Sequence, residues 1–86
     1  MFYVYVLRSL KDRNLYVGFT NDLQRRFTEH NTGMNKSTAP RRPFELIYYE
    51  GYKSQDDARK REGMLKLRGP ALGGLKRRLK FSLGPD

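Results

Sequence analysis

One carboxylate stands alone in a basic stretch. Between Ala58 and Lys80 the chain carries nine basic residues and a single acid, Glu62. Ala58, Glu62 and Leu65 are spaced i, i+4, i+7, so on a helix Glu62 falls in the stripe that faces the core. A carboxylate at the edge of an apolar stripe is costly unless it is paired or bound to a metal. Lys66 offers the pairing alternative, at the favourable Glu-to-Lys spacing. Arg26 and His30 are also four apart and share a helix face. An arginine held rigidly can clamp a phosphate and stabilise charge that develops on it. The ordinary alternative is a solvated cation, for either member of the Arg25-Arg26 pair. His30 is the only histidine. It either orients a proton acceptor or finishes its helix as a residue favoured by the dipole. Two tyrosines complete the set. A hairpin in which Leu7 faces Asn14 puts Tyr5 opposite Tyr16 and Tyr3 opposite Gly18, with Tyr5 and Tyr16 on one face of the sheet. Core packing explains either tyrosine alone. Gly18, inside a strand, marks close approach of a backbone or a ligand.

The elements that must position these groups are readable in order. Phe2 to Leu7 is aromatic and β-branched and suits a strand. Lys11-Asp12-Arg13-Asn14 supplies turn chemistry, and Leu15 to Phe19 reads as the antiparallel partner. Asn21 offers a helix N-cap with Gln24 at the third position; Leu23, Phe27 and His30 then fall on one face. Asn31-Thr32-Gly33 ends that helix. Residues 33–43 are polar, basic and rich in breakers, hence a loop. Phe44 to Tyr49 is a third strand. Ser54 caps a second helix that runs to about Leu67, where Gly69-Pro70 stops it. Ala71 to Gly74 is small and flexible, and Leu75 to Phe81 suits a short basic helix. The expected fold is α/β (α+β): a small three-stranded antiparallel sheet flanked by helices, in the order β-β-α-β-α with a weak C-terminal helix. Residues 1–82 form one domain, with residues 83–86 a frayed tail.

Composition narrows the function. The 86 residues allow one domain with a thin core. Eighteen Lys and Arg against nine Asp and Glu leave a charge of +9, which points to a polyanionic partner. Nucleic acid fits better than an anionic membrane surface. With no cysteine, disulfides and Cys-based zinc sites are excluded. No apolar stretch is long enough to span a membrane, and Met1-Phe2-Tyr3-Val4 shows no signal peptide, so a cytoplasmic location without membrane association is expected.

Tyr3-Val4-Tyr5, followed eleven residues on by Tyr16-Val17-Gly18, resembles the two halves of the GIY-YIG nuclease motif. Leu23-x-x-Arg26-x-x-x-His30 is similar to the family's first helix, and this register selects Arg26 over Arg25. Ala58-Arg59-Lys60-Arg61-Glu62 resembles the helix that carries the family's metal-binding glutamate. Lys36-x-Thr38 and Arg41-Arg42-Pro43 resemble segments of the small single-domain bacterial stand-alone members. Tyr3 stands where the first motif has its leading glycine. The resemblance implies a metal-dependent endonuclease that hydrolyses phosphodiester bonds, with DNA a better expectation than RNA. It implies catalytic roles for Tyr5, Tyr16, Arg26 and His30, one Mg²⁺ or Mn²⁺ on Glu62, and nucleic-acid contacts from Gly18, Lys36, Thr38, Arg41, Arg42 and Lys66. The alternatives are a non-catalytic nucleic-acid-binding module on the same fold, or a small basic subunit of a larger assembly.

Overall fold

A computed structural model describes residues 1–84. Three strands form one antiparallel sheet: β1 (Phe2–Ser9), β2 (Leu15–Thr20) and β3 (Phe44–Tyr52), in the order β2-β1-β3. The helices are α1 (Leu23–Thr32), α2 (Gln55–Lys66), α3 (Pro70–Arg78) and the single turn α4 (Lys80–Leu83). A short 3-10 turn, Ala39–Arg41, lies between α1 and β3.

The alternation of β1 splits the core in two. Val4 and Val6, with Leu15 and Val17 of β2, meet Ala58 and Leu65 of α2 and Leu72 and Leu75 of α3. Tyr5 and Leu7 point the other way, where Phe44, Tyr16, Leu23 and Phe27 close around them. Helix α1 thus covers one face and α2 with α3 the other, so both faces of the central strand are buried. Strand β2 is an edge strand with a helix layer on either side.

The hairpin register differs from the sequence expectation by two residues. Tyr5 faces Gly18, and Leu7 faces Tyr16. An even shift leaves every side chain on its expected face, so Tyr5 and Tyr16 become diagonal neighbours rather than direct partners. The new pairing explains the glycine. A Cβ on Gly18 would lie 2.3 Å from the Tyr5 ring and hydroxyl. What approaches Gly18 is therefore the Tyr5 side chain.

Helix α1 is capped by Asp22, one residue beyond Asn21: its carboxylate accepts from the Arg25 N–H. Gly33, at φ 81, ends it in the left-handed region as its C-cap sequence implies. Ser54 caps α2 as expected. Residues 71–74 belong to a helix and not to a small-residue loop. Pro70 opens α3, and burial of Leu72 and Leu75 overrides the low helix propensity of Gly73 and Gly74. The expected helix from Leu75 to Phe81 is instead split between α3 and α4. Leu83 packs at the rim of the core, and of the tail expected to fray, Pro85 and Asp86 lie outside the described residues.

Helix α2 is fastened on its β3 side. The Arg61 guanidinium donates to both Glu50 carboxylate oxygens at 3.0–3.2 Å, and the hydroxyls of Tyr48 and Tyr52 donate to the same carboxylate. Burial alone would raise the Glu50 pKa; these donors hold it below its ordinary value.

Candidate active site

The Tyr5 side chain is 1% exposed and His30 is completely buried. The Tyr5 hydroxyl lies 2.8 Å from His30 Nε2, and His30 Nδ1 lies 2.8 Å from Thr38 Oγ1. One tautomer of His30 satisfies every group in this chain. The Thr38 hydroxyl has its own acceptor in the Asn35 carbonyl at 3.4 Å, so its oxygen is free to accept the His30 Nδ1–H. Nε2 is then the bare nitrogen and accepts from Tyr5. The imidazole also contacts Tyr16 edge-on at 5.0 Å between centroids, and Phe44 at 5.9 Å. Helix α1 brings His30 here because its buried face, one turn beyond Phe27, points at the sheet.

Burial pushes the Tyr5 hydroxyl up to about 12, against the pull of Arg26, while Tyr16 and Glu62 add to the rise. Burial and the Arg26 charge together depress His30 to about 4. Both rings are therefore neutral near pH 7, with the shared proton on tyrosine. Arg26 is half-buried and held by Glu29 at 3.1 Å. Its positive charge favours ionisation of Tyr5 and opposes protonation of His30.

Glu62 belongs to the opposite helix layer, yet its charge is felt at Tyr5. Its side chain is 14% exposed and meets Lys66 at 3.2 Å, so the pairing alternative is realised. Lys66 itself is half-exposed at the end of a long, unbranched stem. Among the described residues no three His, Cys, Asp or Glu converge as a metal cluster. The donor set fits a single-carboxylate anchor for a hard cation, completed by water and phosphate oxygens, and does not fit a closed protein cage.

The remaining predicted contacts divide. Thr38 is buried and its hydroxyl is taken up by His30 and the Asn35 carbonyl, so in place of a nucleic-acid contact it supports the imidazole. Gly18 is buried beneath Tyr5 and is likewise corrected to a structural role. Arg41 is engaged by Asp12 at 2.7 Å but borders a recess with Tyr16, Lys66 and Arg68. Lys36 is exposed. Arg42 is exposed as well, donates to the Ala39 carbonyl, and lines a separate groove with Lys11. Arg59, in the segment that precedes Glu62, sits 4.2 Å over the Phe19 ring, and Arg68, outside every motif, donates to the Leu15 carbonyl at 3.0 Å.

A tyrosine motif split between the central strand β1 and the edge strand β2 of a β-β-α-β-α sandwich, with an arginine and a histidine on α1 and a glutamate on α2, defines a compact nuclease-type domain. The model of the GIY-YIG catalytic domain matches residues 1–70, and the chain belongs to the GIY-YIG family. That family membership carries nuclease activity in general and nucleic acid as substrate. A UPF0213 protein of Clostridium perfringens is 42% identical over 67 residues, 77% of this chain and 71% of the relative. One from Bacillus pumilus is 45% identical over 65 residues, covering 74% of this chain and 65% of its own length. The solution NMR structure of a UPF0213 protein from Bacillus halodurans matches 99% of this chain and 89% of that one, at TM-score 0.56 and 31% identity. Among the described residues no helix is long and apolar enough to cross a membrane.

Proposed function

We propose that this chain is an endonuclease that hydrolyses DNA phosphodiester bonds with one Mg²⁺ or Mn²⁺ held by Glu62. The observation that carries the reading is the buried Tyr5–His30–Thr38 hydrogen-bond chain, with Arg26 on the same helix as His30 and Glu62 on α2 in the other helix layer. When bound, the ion supplies Lewis-acid charge to a phosphate oxygen and to the water around it.

The chain's own residues do the rest. Water attacks phosphorus and gives its proton to the Tyr5 oxygen while the tyrosine proton moves to His30 Nε2. The opposed resting shifts keep this transfer from happening before attack; proton movement and P–O bond formation coincide. The leaving oxygen takes up a solvent proton as its bond to phosphorus breaks. Arg26, fixed by Glu29, faces the negative charge that builds on the phosphoryl oxygens. Thr38 holds the His30 tautomer that leaves Nε2 available.

The test is a panel of single-stranded, flapped, branched and duplex DNA, with matched RNA, incubated with Mg²⁺ or Mn²⁺. Wild type should cut and Glu62→Gln should not, while Glu62→Gln keeps its fold and its binding to DNA. Metal-dependent cutting by Glu62→Gln at the wild-type rate would remove Glu62 from the mechanism. Binding without cleavage of any substrate would favour the non-catalytic module.

A further inference from the structure

The catalytic reading leaves most of one side of α2 unused. Gln55, Arg59, Glu62 and Lys66 recur at i, i+4, i+7 and i+11, which lines all four along one side of the helix. That side faces β2. A groove of about 390 Å³ between α1 and α2 is lined by Gln55 and Arg59 from α2, Arg25, Arg26 and Glu29 from α1, and Thr20 from the strand end. Its volume falls in the range of about 300–1,000 Å³ that accommodates a small ligand, which suits one nucleotide unit and not a duplex.

The electrostatics of the groove favour an anion. Three guanidiniums face one carboxylate there, Glu29, which is already shared between Arg26 at 3.1 Å and Arg25 at 3.9 Å. Among the described residues no carboxylate pairs with Arg59. Its guanidinium instead lies 4.2 Å over Phe19, whose ring stacks on Phe2 at 6.2 Å and 11°. Stacking fixes the plane of the guanidinium and leaves its edge N–H donors for a ligand. Farther along the same stripe, Lys66 lines a recess with Tyr16 and Arg68. At 1.5 Å per residue, Arg59 and Lys66 stand about 10 Å apart along the axis, with Glu62 between them.

We propose that Arg59, seated on Phe19 and assisted by Arg25, is a phosphate-binding subsite for a single nucleic-acid strand, on the side of Glu62 toward the α2 N-terminus. Lys66 and Arg68 flank the cleavage position on its other side, so the strand runs along the β2 edge. This inference rests on the nuclease reading for the identity of its ligand.

The test is binding of a fluorescent single-stranded oligonucleotide in EDTA, measured by anisotropy across a salt series. Loss of one phosphate contact should reduce the slope of log K against log salt by about 0.7. Arg59→Gln should show that reduction and bind several-fold more weakly at low salt. Lys60→Gln removes the same charge from the solvent side of α2 and should keep the wild-type slope. Phe19→Leu, which retains the arginine but not its platform, should weaken binding with a smaller change in slope. An Arg59→Gln slope equal to that of Lys60→Gln overturns the subsite. Cleavage of the same oligonucleotide with metal is scored separately. Arg59-dependent binding by a wild type that never cuts supports the subsite and rejects the nuclease reading. Cutting with no dependence of binding on Arg59 does the reverse.

Discussion

Lowering the pH from about 7 to about 4 protonates histidine in an unfolded chain, and this chain contains a single one. In the fold, burial and the nearby Arg26 hold His30 at about 4 in place of its ordinary 6.5. Between those two values the unfolded chain binds a proton that the folded chain refuses. Stability therefore falls as pH falls through that window and levels off, for this group, below about 4. A gap from 6.5 to about 4, at about 1.4 kcal/mol per unit, amounts to roughly 3 kcal/mol. That is a large part of the roughly 5–15 kcal/mol that holds a small domain together. Asp12 and Glu50 are lowered from 3.8 and 4.5, so their contributions are lost only at lower pH and the slope above about pH 5 belongs to His30. Urea unfolding followed by far-UV circular dichroism, at constant ionic strength and stepped pH, reads the slope. Proton NMR of the imidazole reads the site itself. A flat unfolding midpoint from about pH 7 to 5, or an imidazole titrating near its ordinary value, would refute the buried neutral acceptor and the proton direction built on it.

Other perturbations probe neighbouring parts of the site. Gly18→Ala places a methyl 2.3 Å from the Tyr5 ring and hydroxyl, so the ring must shift. Displacement near 1 Å should lower cleavage about a hundredfold, and overpacking should cost about 1–3 kcal/mol of stability by urea unfolding. Thr38→Val leaves His30 Nδ1–H without its acceptor and should cost about 1–3 kcal/mol, with Thr38→Ser restoring stability and cleavage. Arg26→Ala should reduce kcat by about 10²–10³ in single-turnover cleavage. Full activity in that variant would assign the role to a different arginine.

Local signals reached far into this fold. The spacing of Leu23, Phe27 and His30 predicted the buried face of α1, and the position of Glu62 between Ala58 and Leu65 predicted its half-buried setting. Both depend only on helix geometry. The hairpin register did not follow, because residue types fix the face of a strand and the turn fixes its offset. Helix α3 was obscured by Gly73 and Gly74, whose poor propensity is outweighed by contacts to distant residues. Thr38 looked like a surface threonine in a polar loop; only the closure of residues 33–43 over α1 buries it against His30. The Arg59–Phe19 stack and the Glu50–Arg61 clamp join elements whose meeting no periodicity encodes.

The Glu50–Arg61 clamp divides the circumference of α2 between two duties. Arg61 anchors the helix to β3, and Ala58 and Leu65 seat it on the sheet, so beyond the Arg59–Phe19 stack its attachment lies away from the β2 side. Side chains on the β2 side can thus change without loosening the joint. If nucleic acid tracks the β2 side as proposed, variants there would alter which strands are accepted while the scaffold carrying Glu62 stays in place.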